Sequence, residues 1–289
     1  MRMYGVVTRN DEETRWPEFD RAFYEVKDVT GRSAEPVESA VSMVSCFGDN
    51  AAAEENPDLV PVTPEGRPAT RERTHFDWAY ICPTHEGYRA GMLEIIEDCT
   101  AVNPDVRLDD VGFPRPEYCY CERCNEQFAD WVERRHEAGE GPPPADTGPE
   151  DRYAWRASVV TAFLEAAVER TPGRTYMTLY PDPYEGHLYE RAGIDLEAIE
   201  GLVDEFVVPL YDTHYGTTYW LEAIANGFRD RLETPVSVEL YAVDVDVDNL
   251  IHAADVADEY GESVLFGYEA SNARAALRRM DADDGVEWS

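Results

Sequence analysis

The sequence predicts a (β/α)8 barrel of the TIM type. Short, nearly continuous apolar runs alternate with longer helical patterns almost from end to end, as in a parallel sheet covered by helices. Seven such runs are readable, one short of the eight that close a barrel. No Gly-x-Gly-x-x-Gly or P-loop follows the first run to favour an open doubly wound sheet.

The strand-like runs are Met3–Thr8, Val41–Cys46, Val106–Val111, Tyr176–Tyr180, Glu205–Tyr211, Val236–Tyr241 and Val264–Tyr268. Helical patterns cover Pro17–Val29, Glu86–Thr100, Arg152–Arg170, Leu188–Glu200, Thr218–Leu232 and Leu250–Tyr260, with a last short helix over Ala273–Met280. The eighth strand is expected within residues 9–40, where the helical pattern is weak. Residues 47–85 form a long loop rich in Pro, Glu and Arg after the second readable strand, on the side where barrels keep their active sites. Residues 139–150, with a Gly-Pro-Pro-Pro run, read as a polar surface loop between two helices. A single barrel is expected over residues 1–280, then an acidic tail over 281–289.

Sixty acidic residues against 25 basic ones give a formal net charge of −35. The acids are spread along the chain, and Lys27 is the only lysine. Such self-repulsion destabilises a compact state at low ionic strength, and molar salt removes most of it by shortening the Debye length to roughly 3 Å. A halophilic protein explains this composition better than a basic partner, which would cluster the acids. No basic patch suits nucleic acid, no run approaches the ~20 apolar residues of a membrane span, and Met1–Asn10 lacks a secretion signal. A soluble, cytoplasmic protein is expected, with its six cysteines free or metal-bound.

The sharpest local signal is Cys119-Tyr-Cys121-Glu-Arg-Cys124. Three thiolates within six residues suit a tetrahedral Zn²⁺, with Cys82 the best candidate for a fourth ligand. Four thiolates would fill the shell and make the zinc structural. The alternative is a loop of unligated thiols. Cys46 and Cys99 read as small buried hydrophobes.

The run Ile81-Cys-Pro-Thr-His-Glu-Gly-Tyr-Arg, followed by a helix, a strand and Cys119-Tyr-Cys-Glu-Arg-Cys-Asn-Glu-Gln-Phe-Ala-Asp-Trp, resembles glycoside hydrolase family 42, the β-galactosidases. It is equally similar to related, mostly uncharacterised glycosidase-like barrels, whose Pro-x-x…Gly loop Asn56-Pro57-Asp58-Leu59…Gly66 also resembles. The match covers roughly residues 41–135. It implies a structural zinc on Cys82, Cys119, Cys121 and Cys124, in a Cys-rich loop of about 113–126. It also implies that the strand carrying Asp109 is the barrel's fourth, which puts Glu239 on the seventh and Glu269 just after the eighth. The clan keeps its acid/base after strand four and its nucleophile after strand seven. Asp109 or Asp110 with Glu239 would reproduce that arrangement. Family 42 carries Asn-Glu where this chain has Asp109-Asp110, whereas the uncharacterised relatives carry Leu-Asp-x-x-x-Phe-Pro, which puts Asp109 in register. The β-galactosidase label is weakened accordingly. Members of family 42 often form trimers with additional C-terminal domains; a homo-oligomer is left open here.

Glycoside hydrolysis needs two carboxyl groups, about 5–5.5 Å apart for retention and 6.5–9.5 Å for inversion. Glu239, flanked by Val238 and Leu240 in an apolar strand, would be costly without a role. Asp182, Asp212 and Glu269 also follow strands, and Asp182 and Asp212 could instead cap helices or solvate loops. Asp244, Asp246 and Asp248 read as charge at a helix N-terminus. Tyr180, Tyr184, Tyr211, Tyr215, Tyr219, Trp220, Tyr241 and Tyr268 cluster at the same strand ends, where rings could stack on sugars, and His187 and His214 lie in the same loops. Trp78 in the long loop is a candidate lid residue. Carbohydrate contacts are expected from Tyr180, Asp182, Tyr211, Asp212, His214, Tyr241 and Glu269. The resulting expectation is a hydrolase of O-glycosidic bonds in a small sugar or oligosaccharide. Its rivals are a carbohydrate-binding barrel without activity and a different hydrolase or lyase on the same fold.

Overall fold

The computed structural model describes residues 2–283. Its strands are β1 (Tyr4–Thr8), β2 (Arg21–Asp28), β3 (Gly31–Arg32), β4 (Val41–Ser45), β5 (Val106–Asp109), β6 (Thr175–Thr178), β7 (Glu205–Pro209), β8 (Val236–Tyr241) and β9 (Val264–Gly267). The helices are α1 (Asn50–Glu55), α2 (Glu86–Thr100), α3 (Glu122–Glu137), α4 (Pro149–Val168), α5 (His187–Ala192), α6 (Leu196–Ile199), α7 (Tyr219–Arg229), α8 (Val247–Tyr260) and α9 (Ala270–Asp283). All strands but β3 pair in parallel in the order β1-β2-β4-β5-β6-β7-β8-β9, and β9 returns to β1. This is a closed eight-stranded (β/α)8 barrel; β3 only adds an antiparallel lip to β2.

β2 is the missing strand, and it replaces the helix expected over Pro17–Val29. Its outward residues Ala22, Tyr24 and Val26 are buried against the outer layer, but the inward set Arg21, Phe23 and Glu25 is mostly charged. That set meets partners inside the barrel: Arg21 pairs with Glu205 at 2.7 Å, and Glu25 pairs with Arg9. Charged residues on a buried face erase the apolar signal that marked the other strands. Asp281–Asp283 of the expected tail belong to α9, and 284–289 lie outside the described residues.

The barrel interior is layered. Glu205 at the amino end takes Arg21, Arg174 and the Ser237 hydroxyl. A middle layer of Val7, Phe23, Val41, Met43, Tyr176, Val207 and Leu265 is fully apolar, with Phe23 and Tyr176 edge to face at 5.2 Å. Above it the polar groups return, and the site begins there. The long loop 47–85 is not structureless: it holds α1 and closes on itself through the bridges Gly48–Tyr80 and Val62–Pro68. No helix among the described residues is long and apolar enough to cross a membrane.

Candidate active site

A cavity of about 720 Å³ opens at the carboxyl ends of the barrel strands. Residues from β2, β5, β6 and the turns after β7, β8 and β9 form its walls, and His75–Tyr80 of the long loop close one side. Its lining is acidic (Glu25, Asp28, Asp77, Asp109, Asp110) and aromatic (Trp78, Tyr80, Tyr180, Tyr211, Tyr241, Tyr268), with Arg9, Arg107 and Arg191 between.

Asp109 ends β5, the fourth strand of the closed barrel, and faces the cavity. Its Oδ1 accepts the Asp110 backbone N–H at 2.9 Å, which folds the chain so that Asp110 takes a left-handed φ of 50°. That turn aims the Asp110 carboxyl sideways at β4, where the Ser45 hydroxyl lies 2.5 Å from Oδ2. Gly48 makes room for it, since a Cβ there would stand 2.7 Å from Asp110 Oδ2 and 2.9 Å from Trp78 Nε1. Burial, then the neighbouring Asp109, push the Asp110 carboxyl up to about 7, against the opposing pull of Ser45 and Lys27. The Ser45 hydroxyl has two acceptors within reach, Asp110 Oδ2 and Gly48 O at 2.9 Å, and its one proton serves either.

Lys27, the sole lysine, is buried beneath this turn. Its ammonium donates to Ser45 O at 2.7 Å and Gly48 O at 3.3 Å and pairs with Asp49 at 3.1 Å, which also accepts from the Tyr88 hydroxyl. A compact ammonium reaches both carbonyls and the carboxylate at once, a geometry the wider guanidinium fork does not fit.

Glu239 lies in β8, the seventh barrel strand, fully buried behind the lining residues Arg107 and Tyr211 and not itself on the cavity wall. Arg107, two residues before Asp109, pairs with its Oε2 at 2.5 Å and donates through Nε to Thr178 Oγ1 at 3.0 Å. Burial alone would depress the Arg107 guanidinium, but Glu239 holds it above its ordinary value. The Tyr211 hydroxyl donates to Glu239 Oε1, so this phenol stands between Glu239 and the cavity. Burial and Glu239 raise the Tyr211 phenol well above its usual value. A Cβ at Gly267 would lie 2.8 Å from Glu239 Oε1, so here too glycine makes room for a carboxylate.

Of the sugar-contact candidates, Tyr180, Tyr211 and Tyr241 line the cavity, and Trp78 does so from the long loop. Asp182, Asp212, His214 and Glu269 are not on its walls; three of these acids hold turns instead. Asp182 accepts from Tyr184 N, Asp212 from His214 N and Glu269 from Asp244 N. Asp246 caps α8. Sequence reading missed Glu25, Asp28, Arg9 and Arg107. Arg9 pairs with Glu25 and with Asp28, and burial leads the effects that raise the Glu25 carboxyl above its ordinary value. The only signal for these residues was charge inside strands, which was legible for Glu239 and overlooked for Arg107.

The cysteines meet on the outer side of the same loop. Cys82, Cys121 and Cys124 bring their sulfurs within 4.8 Å of one another, a cluster that could hold a metal ion. Cys82 lies 3.3 Å from Cys124 and 3.9 Å from Cys119, and Cys121 lies 3.3 Å from Cys124. Tetrahedral zinc with bonds of about 2.3 Å spaces its sulfurs at about 3.8 Å, so Cys82, Cys121 and Cys124 suit that ion, while Cys119 falls outside their mutual grouping and lies near Cys82. Cys46 and Cys99 are separate buried thiols.

No protein-family model and no curated protein matches the sequence. Solved structures do match the fold. The glycoside hydrolase domain of PgaB (BpsB) from Bordetella bronchiseptica superposes with a TM-score of 0.69 at 10% identity, over 100% of both chains. Alpha-L-fucosidase isoenzyme 2 from Paenibacillus thiaminolyticus gives 0.64 at 12% identity, over 99% of this chain and 50% of that one. A family 18 chitinase from Cycas revoluta, in complex with allosamidin, gives 0.50 at 9% identity, over 99% and 100%. The likeness is one of fold. These neighbours are TIM-barrel glycoside hydrolases, and nothing in the comparisons singles out family 42.

Proposed function

We propose that this chain is a glycoside hydrolase acting on O-glycosidic bonds. One observation carries the reading: a carboxyl pair at the end of barrel strand four opens into an aromatic-lined cavity, where burial pushes the carboxyl of one member, Asp110, up to about 7. A carboxylic acid with that property gives a proton to a leaving glycosidic oxygen. Burial, and after it the neighbouring Asp109, favours the protonated form of Asp110. Glu239, on strand seven, is the second carboxylate, acting as nucleophile or base; Arg107 and Tyr211 each fix one of its oxygens. The Tyr211 hydroxyl covers it, so chemistry at Glu239 requires that hydrogen bond to open. The glycoside hydrolase names of the fold neighbours agree with this reading.

The test is a panel of aryl-glycosides in molar KCl with wild type and Glu239→Gln. Turnover by the wild type, and a loss of kcat of about 10²-fold or more in the variant, is the expected result. Activity indifferent to Glu239→Gln would overturn the assignment. The burial of Glu239 beneath Tyr211 favours a second reading, a carbohydrate-binding barrel without turnover, and calorimetric binding of sugars with no hydrolysis would select it.

The cysteine cluster is read as structural zinc on Cys82, Cys119, Cys121 and Cys124. The net charge of −35 is read as adaptation to a salty cytoplasm. Tm is accordingly expected to climb as KCl is raised from about 0.1 M to about 2 M, with most of the gain complete once the Debye length falls to roughly 3 Å. A Tm indifferent to KCl, measured by scanning calorimetry, would remove the halophile reading.

A further inference from the structure

Large apolar side chains on a protein surface are unremarkable singly and informative when grouped. Five are exposed among the described residues: Val102 and four tyrosines. All four tyrosines follow two adjacent strands, β6 and β7. Tyr180 is 49% exposed and Tyr211 43%, both on the cavity wall; Tyr184 is 71% and Tyr219 79%, both outside it.

Three of these rings are braced from behind. The Arg191 guanidinium lies 3.9 Å from the centre of the Tyr180 ring. The His187 imidazole packs on Tyr184 at 5.7 Å and is held by Asp182 at 3.0 Å. Tyr241 packs on Tyr211 at 5.4 Å, and Glu239 holds its hydroxyl. The helix α5 that carries Arg191 and His187 is itself fixed, because the buried Arg156 donates to Glu190 O at 3.1 Å and Arg191 O at 2.8 Å. The loop bearing Tyr184 is tied to the carboxyl end of α7, the helix whose first residue is Tyr219: Arg231, just past that end, donates to Pro183 O, and Pro183 packs so closely on Gly227 that a Cβ there would meet it at 2.8 Å.

Rigid rings facing solvent have little conformational entropy left to lose on binding. They offer flat apolar faces to the C–H faces of sugar rings, whose neutral hydroxyl groups are indifferent to the field of an acidic protein. We infer that these tyrosines form an open platform continuous with the cavity, which holds further sugar units of a chain, so that the ligand is an oligosaccharide or polysaccharide. The inference rests on the carbohydrate reading of the cavity and adds the length of the ligand. It gives Asp182 and His187 a role as positioning residues for Tyr184.

The test is calorimetric binding to Asp110→Asn, which removes the proposed acid, in molar KCl. The probes are β-linked gluco-, manno- and N-acetylglucosamine ladders from one to about six units. The affinity for at least one ladder is expected to rise about tenfold or more between one and four units. Tyr184→Ala and Tyr219→Ala are expected to weaken its long members about two- to tenfold each, without affecting the single sugar. Both side chains are exposed, so neither change endangers folding. A length-independent affinity, or long members indifferent to both changes, overturns the platform and spares the cavity reading. No binding by any member, the single sugars included, overturns the cavity reading and the platform with it.

Discussion

Asp110→Asn is expected to lower kcat by about 10²- to 10⁴-fold on any glycoside the wild type turns over, with ligand binding retained. Asn has the size of Asp but no acidic proton, so the loss would report proton transfer and not shape. The pH profile carries the sharper test. A general acid works only while protonated, and Asp110 keeps its proton up to about 7 instead of the ordinary 3.8. The wild-type rate should therefore hold on the acid side and fall as pH rises through about 7. Asp109→Asn removes a like charge, so the fall should move to lower pH. Ser45→Ala removes a hydrogen bond that favours the charged form, so the fall should move to higher pH. The groups around Asp110 include Asp109 on β5, Glu25 and Lys27 on β2, Ser45 and Cys46 at the end of β4, Tyr80 on the long loop and Tyr88 on α2. The carboxyl–Ser45 contact is local, so salt should screen it less than exposed charges. A profile unmoved by both changes would remove Asp110 from the role of acid.

What could be read in the sequence followed from which faces are apolar. Seven strands showed because their outward faces are apolar against the helices, and several add an inward residue of the Val7, Met43, Tyr176, Val207 and Leu265 layer. β2 did not show because its inward face carries Arg21 and Glu25, whose partners Glu205 and Arg9 are 184 and 16 residues away. Long-range pairing of this kind leaves no local period. The same cause divides the site. Asp109, Asp110 and Glu239 were visible as carboxyls at strand ends, and the cysteines as a spacing. Arg107, Arg9 and Glu25 were hidden because each makes sense only beside its partner. Asp182, Asp212 and Glu269 looked alike in sequence, yet the structure spends their oxygens on backbone N–H groups of their own or a neighbouring loop. The spacing Asp-x-x or Asp-x after a strand is as characteristic of a turn as of a site. Leu188–Glu200, read as one helix, is two short ones parted after Ala192.

Cys121→Ser is expected to lower Tm by about 10 °C or more and to abolish a stoichiometry of about one zinc per chain, measured by elemental analysis and calorimetry. Zinc bound by thiolates contributes roughly 10–16 kcal/mol in model peptides, and a domain's whole stability is about 5–15 kcal/mol. Losing about two thirds of the metal's contribution would therefore move Tm by that much in a chain of this size. The cluster brings Cys82, just before α2, against Cys124 at the start of α3, 42 residues on. Beside them Cys119 has a φ of 69°, strained for a residue with a Cβ, with Arg152 donating to its carbonyl. Next to it, Tyr120 N donates to Val62 O at 3.0 Å and Tyr118 packs on Phe76 at 5.3 Å, so the cysteine loop grips the long loop that brings Trp78 and Tyr80 to the cavity. Chelation should therefore speed amide exchange first in residues 60–80 and 113–126, and later in the barrel strands. Because the loosened loop forms one wall of the cavity, ligand affinity should fall before the barrel melts. A metal-free protein with unchanged Tm and unchanged exchange in those segments would show that the four thiols hold no ion.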